Sequence, residues 1–197
     1  TADRLVADPG SRTVLIGATP EDGIACCWRT HTVGALRFAV DGSLLFSYGE
    51  SAIFGQIDSG GSTPGCFPPQ GFANPDEDLG VFRSQMLDSM NGKIMRLDPN
   101  TAQGMPNNPF FNPALPSSAR SRIWASGVRN PFRMNVRPGT GSATHPGSIY
   151  VGDVGRNDYE ELSVVRNGGE NLGWPCYEGF GLNRAYSPIP MAEWGCN

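Results

Sequence analysis

Phe132-Arg133-Met134-Asn135-Val136, followed downstream by Gly147-Ser148-Ile149-Tyr150-Val151, repeats an earlier pair of runs, Leu36-Arg37-Phe38-Ala39-Val40 and Gly42-Ser43-Leu44-Leu45-Phe46. In the earlier pair, apolar residues alternate on both sides of Asp41-Gly42, a dipeptide whose ready access to positive φ makes it a strong hairpin signal. Arg37 and Arg133 lie 96 positions apart. That interval corresponds to two units of about 48 residues, in the size range of propeller blades. The intervening unit is expected around Gly92-Lys93-Ile94-Met95-Arg96-Leu97-Asp98-Pro99, a strand closed by proline. The predicted fold is all-β: a β-propeller of four-stranded blades, with residues 1–197 as a single partial propeller domain of three to four blades.

Composition agrees with many short strands. The chain has 26 glycines and 17 prolines in 197 residues, with no collagen-like or low-complexity period, so turns are frequent. A hydrophobic fraction of 39% suffices for a packed core. The formal net charge of -4, without a Lys/Arg run, argues against a surface that tracks nucleic-acid phosphates. No apolar run approaches the ~20 residues of a membrane span. Thr1-Ala2-Asp3-Arg4 carries neither an initiator Met nor a signal-like apolar region, so any secretion signal is expected to have been removed or to lie outside this sequence.

The five cysteines lack the Cys-x-x-Cys spacing of zinc or redox sites. Cys176 and Cys196 bracket an irregular Gly/Pro/Asn-rich loop, and a disulfide between them is expected; Cys66 is then expected to pair with Cys26 or Cys27. Such bridges place the protein in an oxidising compartment, periplasmic or extracellular. Further strands are expected at Thr13–Ile16 and Arg122–Gly127, with a short helical turn within Leu79–Asp88. The aperiodic stretch from Ser51 to Asp78 is too long for an ordinary connection, and loops of that length are commonly functional.

Chemistry concentrates in two places. Gly127-Val128-Arg129-Asn130-Pro131 sets a cation and an amide beside a proline turn. Downstream, Ile149-Tyr150-Val151-Gly152-Asp153 reads as a strand running into the acidic loop Val154-Gly155-Arg156-Asn157-Asp158-Tyr159-Glu160-Glu161. A guanidinium suits planar anions, and hard oxygen donors on an irregular turn suit calcium. Each has a plainer reading, as a blade-bridging arginine and a solvated acidic turn.

Several stretches occur in an order that resembles the soluble PQQ-dependent aldose dehydrogenases, the glucose/sorbosone dehydrogenase family. They are His31 to Gly42, Asn91 to Pro99, Pro106-Asn107-Asn108-Pro109-Phe110, Gly127 to Pro131, Asp153-Val154-Gly155 with Glu160-Glu161, and Asn171-Leu172-Gly173-Trp174-Pro175. The resemblance covers about residues 13 to 180. It implies a six-bladed propeller of which this chain is part, the remaining blades coming from another segment or chain. It also implies a pyrroloquinoline quinone (PQQ) cofactor, calcium, an aldose sugar substrate and a separate electron acceptor.

Carried onto this sequence, the resemblance makes His31 the general base. It sets Arg129 and Asn130 against PQQ, and places Glu50 near the active centre, where it orients His31 or a substrate hydroxyl. The carbonyls of Gly155 and Arg156 become calcium ligands, with Glu160 and Glu161 in the same acidic region. Arg156 stands where the family has proline, so the geometry of that calcium ligand is expected to depart from the family's. Thr30 stands where glucose dehydrogenases carry an acidic residue, so substrate preference is expected to differ. Trp174 and Tyr177 are candidates for stacking on a sugar or for propeller core. His145 is expected to be solvated. The alternative function is a non-catalytic propeller that binds carbohydrate or a protein partner.

Overall fold

The computed structural model describes residues 6–191 and 193–196, so the N-terminal Thr1-Ala2-Asp3-Arg4 lies outside the described residues. β1 (Val33–Phe38) and β2 (Leu44–Tyr48) form the expected hairpin, with Phe38 opposite Leu44 and Leu36 opposite Phe46. The turn between them uses both members of the Asp-Gly pair. Gly42 sits at φ 80°, and the Asp41 carboxylate accepts the Ser43 N–H at 3.0 Å and its hydroxyl at 2.6 Å. β3 (Lys93–Leu97) pairs with β2, and β4 (Ile123–Ser126) pairs with β3, closing a four-stranded antiparallel sheet. One helical turn, α1 (Ala119–Arg122), leads into β4; the Ser118 side chain caps it by accepting the Ser121 N–H.

A second sheet follows, with β5 (Arg133–Val136), β6 (Ile149–Asp153) and β7 (Glu161–Val165) in consecutive antiparallel order. A two-stranded ribbon of β8 (Tyr177–Glu178) and β9 (Gly181–Leu182) completes the strands. Alternation along β2 divides the core. Leu45 faces the second sheet and packs with Ile94, Trp124, Met134, Ile149 and Val151. Phe46 and Tyr48 point the other way, onto Met90, Met95 and Leu97. This period of two puts one apolar face of the first sheet against the second sheet, as stacked sheets require.

Three expectations change. Lys93–Leu97 is not a separate unit between the repeats but the third strand of the first sheet, so Arg37 on β1 and Arg133 on β5 open consecutive sheets. The 96-residue interval therefore spans one sheet, lengthened by the excursion between β2 and β3. Correspondingly, the described residues form one four-stranded sheet, one three-stranded sheet and a ribbon rather than three to four four-stranded blades. Finally, Thr13–Ile16 is not a strand: Ile16 lies with Ile24 against the Phe46/Met95 cluster, covering a sheet face instead of extending a ladder.

The helical turn expected within Leu79–Asp88 is the 3-10 helix Gly80–Ser84. Cys176 is bonded to Cys196 as expected, Cys66 takes Cys27, and Cys26 is a free, exposed thiol. Among the described residues no helix is long and apolar enough to cross a membrane.

The proline-pinned excursion around Pro106–Phe110 is tied down by a buried ion pair. Arg96 donates through Nη2 to Asp41 Oδ2 at 2.5 Å and through Nη1 to Asn107 and Asn108, while its guanidinium lies 5.0 Å from the Trp124 ring. Replacing Arg96 with Met keeps the volume but strands Asp41 in the interior. The expected cost is about 3–5 kcal/mol, measured by urea unfolding, while Asp41→Asn combined with Arg96→Met recovers part of it. An Arg96→Met variant as stable as wild type would contradict this packing.

Candidate functional site

The long excursion between β2 and β3 and the loops that follow β4 and β6 meet beside the start of β1. Gly49 makes the meeting possible: a Cβ there would fall 2.4 Å from the His31 carbonyl oxygen and 2.6 Å from that of Arg129. No side chain fits, and three chain segments converge on this glycine. Immediately after it, the Glu50 N–H donates to the Arg129 carbonyl at 2.9 Å. His31 has φ 50°, a conformation uncommon for a residue with a side chain, and its Nδ1 lies 2.6 Å from Glu50 Oε1. His31 keeps 10% of its side-chain surface exposed and Glu50 only 1%, so the carboxylate is interior and the ring reaches solvent. With the carboxylate accepting at Nδ1, that nitrogen carries the proton and Nε2 is left as the basic atom.

Arg129 belongs to the same cluster. Its guanidinium donates through Nη1 to the carbonyls of Val154 and Gly155 at 2.9 and 2.7 Å, and lies 5.4 Å from the Trp174 ring. Its backbone N–H and that of Asn130 both donate to the Asp153 carboxylate, at 2.9 and 2.6 Å. The Gly127–Pro131 stretch is thereby clamped against the end of β6. Burial pushes the Asp153 carboxyl up to about 7 despite those two donors, and the Glu50 and Glu161 charges act in the same direction.

Arg156 is half-buried, with its guanidinium 5.3 Å from the Tyr186 ring. Tyr186 in turn meets Trp174 edge-on at 5.6 Å. Polar atoms in this region that are buried without a partner include Glu50 Oε2, Arg129 Nε, Arg156 Nε and Trp174 Nε1. By contrast, the buried Arg96 and Arg122 each reach a carboxylate. Unsatisfied polar atoms of this kind are rare in folded proteins and mark places where a ligand can supply the missing contact.

The acidic loop is organised differently from its sequence pattern. Glu178, which the pattern did not single out, accepts the backbone N–H groups of Arg156, Asn157 and Asp158 on one carboxylate oxygen. Burial pushes its carboxyl up, but these donors outweigh burial and hold the group below the usual carboxylate range. Glu160 accepts the Gly155 N–H and Glu161 that of Gly179, so both carboxylates brace the loop. Burial moves Glu161 upward. Among the described residues no three His, Cys, Asp or Glu side chains converge on a metal position. A cation here would rest on the carbonyls of Gly155 and Arg156, each of which has two lone pairs.

Asp153 and Glu178 were not legible as site residues because both act on backbone N–H groups, which no sequence pattern displays. Trp174 is core, packed with Phe82 and Tyr186, whereas Tyr177 is half exposed. Thr30 donates to the Ala52 carbonyl. His145 departs from the solvated position expected of it: half-buried, it packs edge-on against Trp124 at 5.4 Å and accepts the Gly147 N–H, remote from His31 in the core arrangement. A cleft of about 860 Å³ between the Gly17–Cys26 and Pro68–Glu77 segments is lined by neither His31 nor Arg129.

The PQQ-bound aldose sugar dehydrogenase of Streptomyces coelicolor superimposes with a TM-score of 0.52 at 24% identity, over 78% of this chain and 33% of that one. The chain belongs to the Glucose / Sorbosone dehydrogenase family, whose model matches residues 24–191. HIPL1 protein of Arabidopsis thaliana is 31% identical over 162 residues, 76% of this chain and 19% of that protein. Aldose sugar dehydrogenase YliI of Escherichia coli K12 is 33% identical over 112 residues, 56% of this chain and 26% of the enzyme. The chain thus spans about a quarter or less of these two relatives' length.

The raised Asp153 carboxyl yields a pH signature. Because its folded value, about 7, exceeds the ordinary 3.8, the native state binds more protons than the unfolded state between these values, and stability falls as pH rises from about 4 to 7. Above 7 the loss is complete, on the order of 3–4 kcal/mol. Asp153→Asn removes this decline. Urea unfolding at pH 4.5, 6 and 8 is expected to show wild type losing stability relative to the variant, and a pH-independent difference would refute the assignment.

Proposed function

We propose that this chain carries part of the active centre of a dehydrogenase that oxidises aldose sugars by hydride transfer to calcium-bound PQQ, with His31 as general base. The observation that carries the reading is the convergence of the His31–Glu50 pair with Arg129, all three bearing on one region where Glu50 Oε2, Arg129 Nε and Arg156 Nε lack partners. The family membership and the PQQ-bound structural neighbour support it. When bound, PQQ supplies an electrophilic centre that accepts the hydride.

The residues fit such a group. Arg129 and Arg156 offer guanidinium donors to a planar polyanion, and Asn130 adds an amide beside them. The carbonyls of Gly155 and Arg156 offer hard donors to calcium on a loop braced by Glu160 and Glu161. At the sugar, His31 Nε2 takes the hydroxyl proton as the adjacent C–H bond releases its hydride and the C=O bond forms. Glu50 fixes the ring tautomer and stabilises the imidazolium that results. Arg129 stabilises negative charge developing on the cofactor side of the site. A separate electron acceptor would be needed to take the two electrons, with the two protons passing to solvent.

The two disulfides support an oxidising location, periplasmic or extracellular. Leu36, Phe38 and Leu162 are largely exposed on the outer strands β1 and β7. We assign these faces to contact with the remaining blades of a six-bladed propeller or with another chain.

The test uses the full-length protein. Titration with PQQ and calcium, followed by absorbance and melting temperature, is expected to show saturable binding, and an aldose panel with an artificial electron acceptor is expected to give turnover. His31→Gln is expected to lower kcat about 10²–10⁴-fold while leaving PQQ affinity within a few-fold. Near-wild-type turnover in His31→Gln, or no PQQ binding, would overturn the reading. Sugar binding without turnover would favour the non-catalytic alternative.

A further inference from the structure

Beneath Glu50 lie two basic residues that the proposed chemistry leaves without a role. Arg83, 1% exposed on the 3-10 helix, donates through Nε to the Glu50 carbonyl at 3.2 Å, through Nη2 to that of Ser51 at 2.9 Å, and through Nη1 to that of Glu77 at 3.2 Å. Lys93, fully buried on β3, donates to the carbonyls of Arg83, Ser84 and Asn91, each at 2.8 Å. Asn91 closes the arrangement: its Nδ2 donates to the same Glu50 carbonyl at 3.3 Å. Every donor of this double layer ends on a backbone carbonyl.

Neutral groups satisfy carbonyls well. Burial pushes Lys93 well below the usual lysine range, so its charge is disfavoured. Burying the Arg83 guanidinium for that purpose alone is costly, because it loses its hydration, and it calls for a negative partner in the same layer. Four carboxylates act on the Arg83 charge: Asp58, Glu77, Glu50 and Asp78. Asp58 accepts the N–H groups of Ile53 and Gly60 within the excursion and does not touch His31. Glu77 is carried upward by burial, so its charge is disfavoured. Glu50 is 1% exposed, has one oxygen on His31 and the other without a partner, and is the one of the four whose side chain touches His31; Arg83 also holds its backbone carbonyl.

We infer that Arg83, held in place by Lys93, is a positioning residue: it keeps Glu50 a carboxylate turned toward His31, and so keeps the proton of His31 on Nδ1. The inference rests on the reading of His31 as base only for its effect on turnover. Its physical content is a statement about one proton. Arg83 touches neither substrate nor cofactor in this arrangement and acts through Glu50. Charged groups facing Glu50 from the other elements are Arg129 on the β4–β5 loop and Asp153 at the end of β6, both unchanged by substitution at Arg83.

The test is nuclear magnetic resonance on the ¹⁵N-histidine-labelled full-length protein, with the His31 signals assigned by their loss in His31→Gln. Wild type is expected to show a downfield proton coupled to His31 Nδ1. Arg83→Gln keeps a donor for the carbonyls but removes the charge, and is expected to abolish that resonance or move it markedly upfield. Arg83→Lys is expected to retain it. In the full-length protein, kcat/KM is expected to fall about 10- to 100-fold in Arg83→Gln, the range typical of outer-shell partners, and to recover largely in Arg83→Lys.

A folded Arg83→Gln protein with an unchanged His31 resonance overturns the inference. So does the absence of the resonance from wild type. Should Arg83→Gln fail to fold, Arg83→Lys decides, since loss of the resonance with the charge retained contradicts the electrostatic role. Loss of the resonance in Arg83→Gln in a parent protein without sugar turnover would sink the dehydrogenase reading and leave this inference standing.

Discussion

Glu50 is the residue on which the site depends. Its N–H holds the Arg129 carbonyl, its carbonyl is held by Arg83 and Asn91, and its side chain holds His31. A residue fastened at both backbone ends has little freedom to reorient, so its carboxylate direction is set by the fold rather than by chance rotamer choice. Gly49 enforces the geometry from the side, because any side chain there would collide with the carbonyls of His31 and Arg129. Residues far apart along the chain thereby become neighbours.

The sheets supply the rigidity this needs. β2 delivers Gly49 and Glu50 directly from its end, β3 delivers Lys93 from its start, and β6 delivers Asp153 at its last position. Each functional group thus sits at or just beyond a strand end, while the loops between strands carry the groups that vary in direction. Two pairs of basic residues accompany this arrangement. Arg129 and Arg156 each keep a buried Nε without a partner, whereas Arg83 and Lys93 meet backbone carbonyls.

The sequence showed some of this and concealed the rest for identifiable reasons. The hairpin at Asp41-Gly42 was legible because local alternation and turn chemistry agree. The assignment of Lys93–Leu97 to its own unit failed because a repeat interval does not reveal how much of it is excursion; only pairing with β2 does. Thr13–Ile16 has strand-like residues, but covering a sheet face asks for the same side chains as extending one. His31 and Arg129 stood out through ordered motifs and Glu50 as a matching acidic position; Asp153 was quoted in a motif without a role, whereas Glu178 and Arg83 act on backbone groups brought close by tertiary structure. Such partners have no spacing signature. Glu160 and Glu161 drew attention as an acidic pair, yet their visible contacts are to the N–H groups of their own loop and its neighbour.

The central claim is that His31, Glu50 and Arg129 form one site facing a common ligand. A crystal structure of the full-length protein grown with PQQ and calcium tests it most directly. The account predicts the quinone between the His31 ring and the Arg129 guanidinium, with Glu50 Oε1 still on His31 Nδ1 and a cation on the carbonyls of Gly155 and Arg156. Cofactor bound elsewhere, or Glu50 turned away from His31 in the complex, would contradict it.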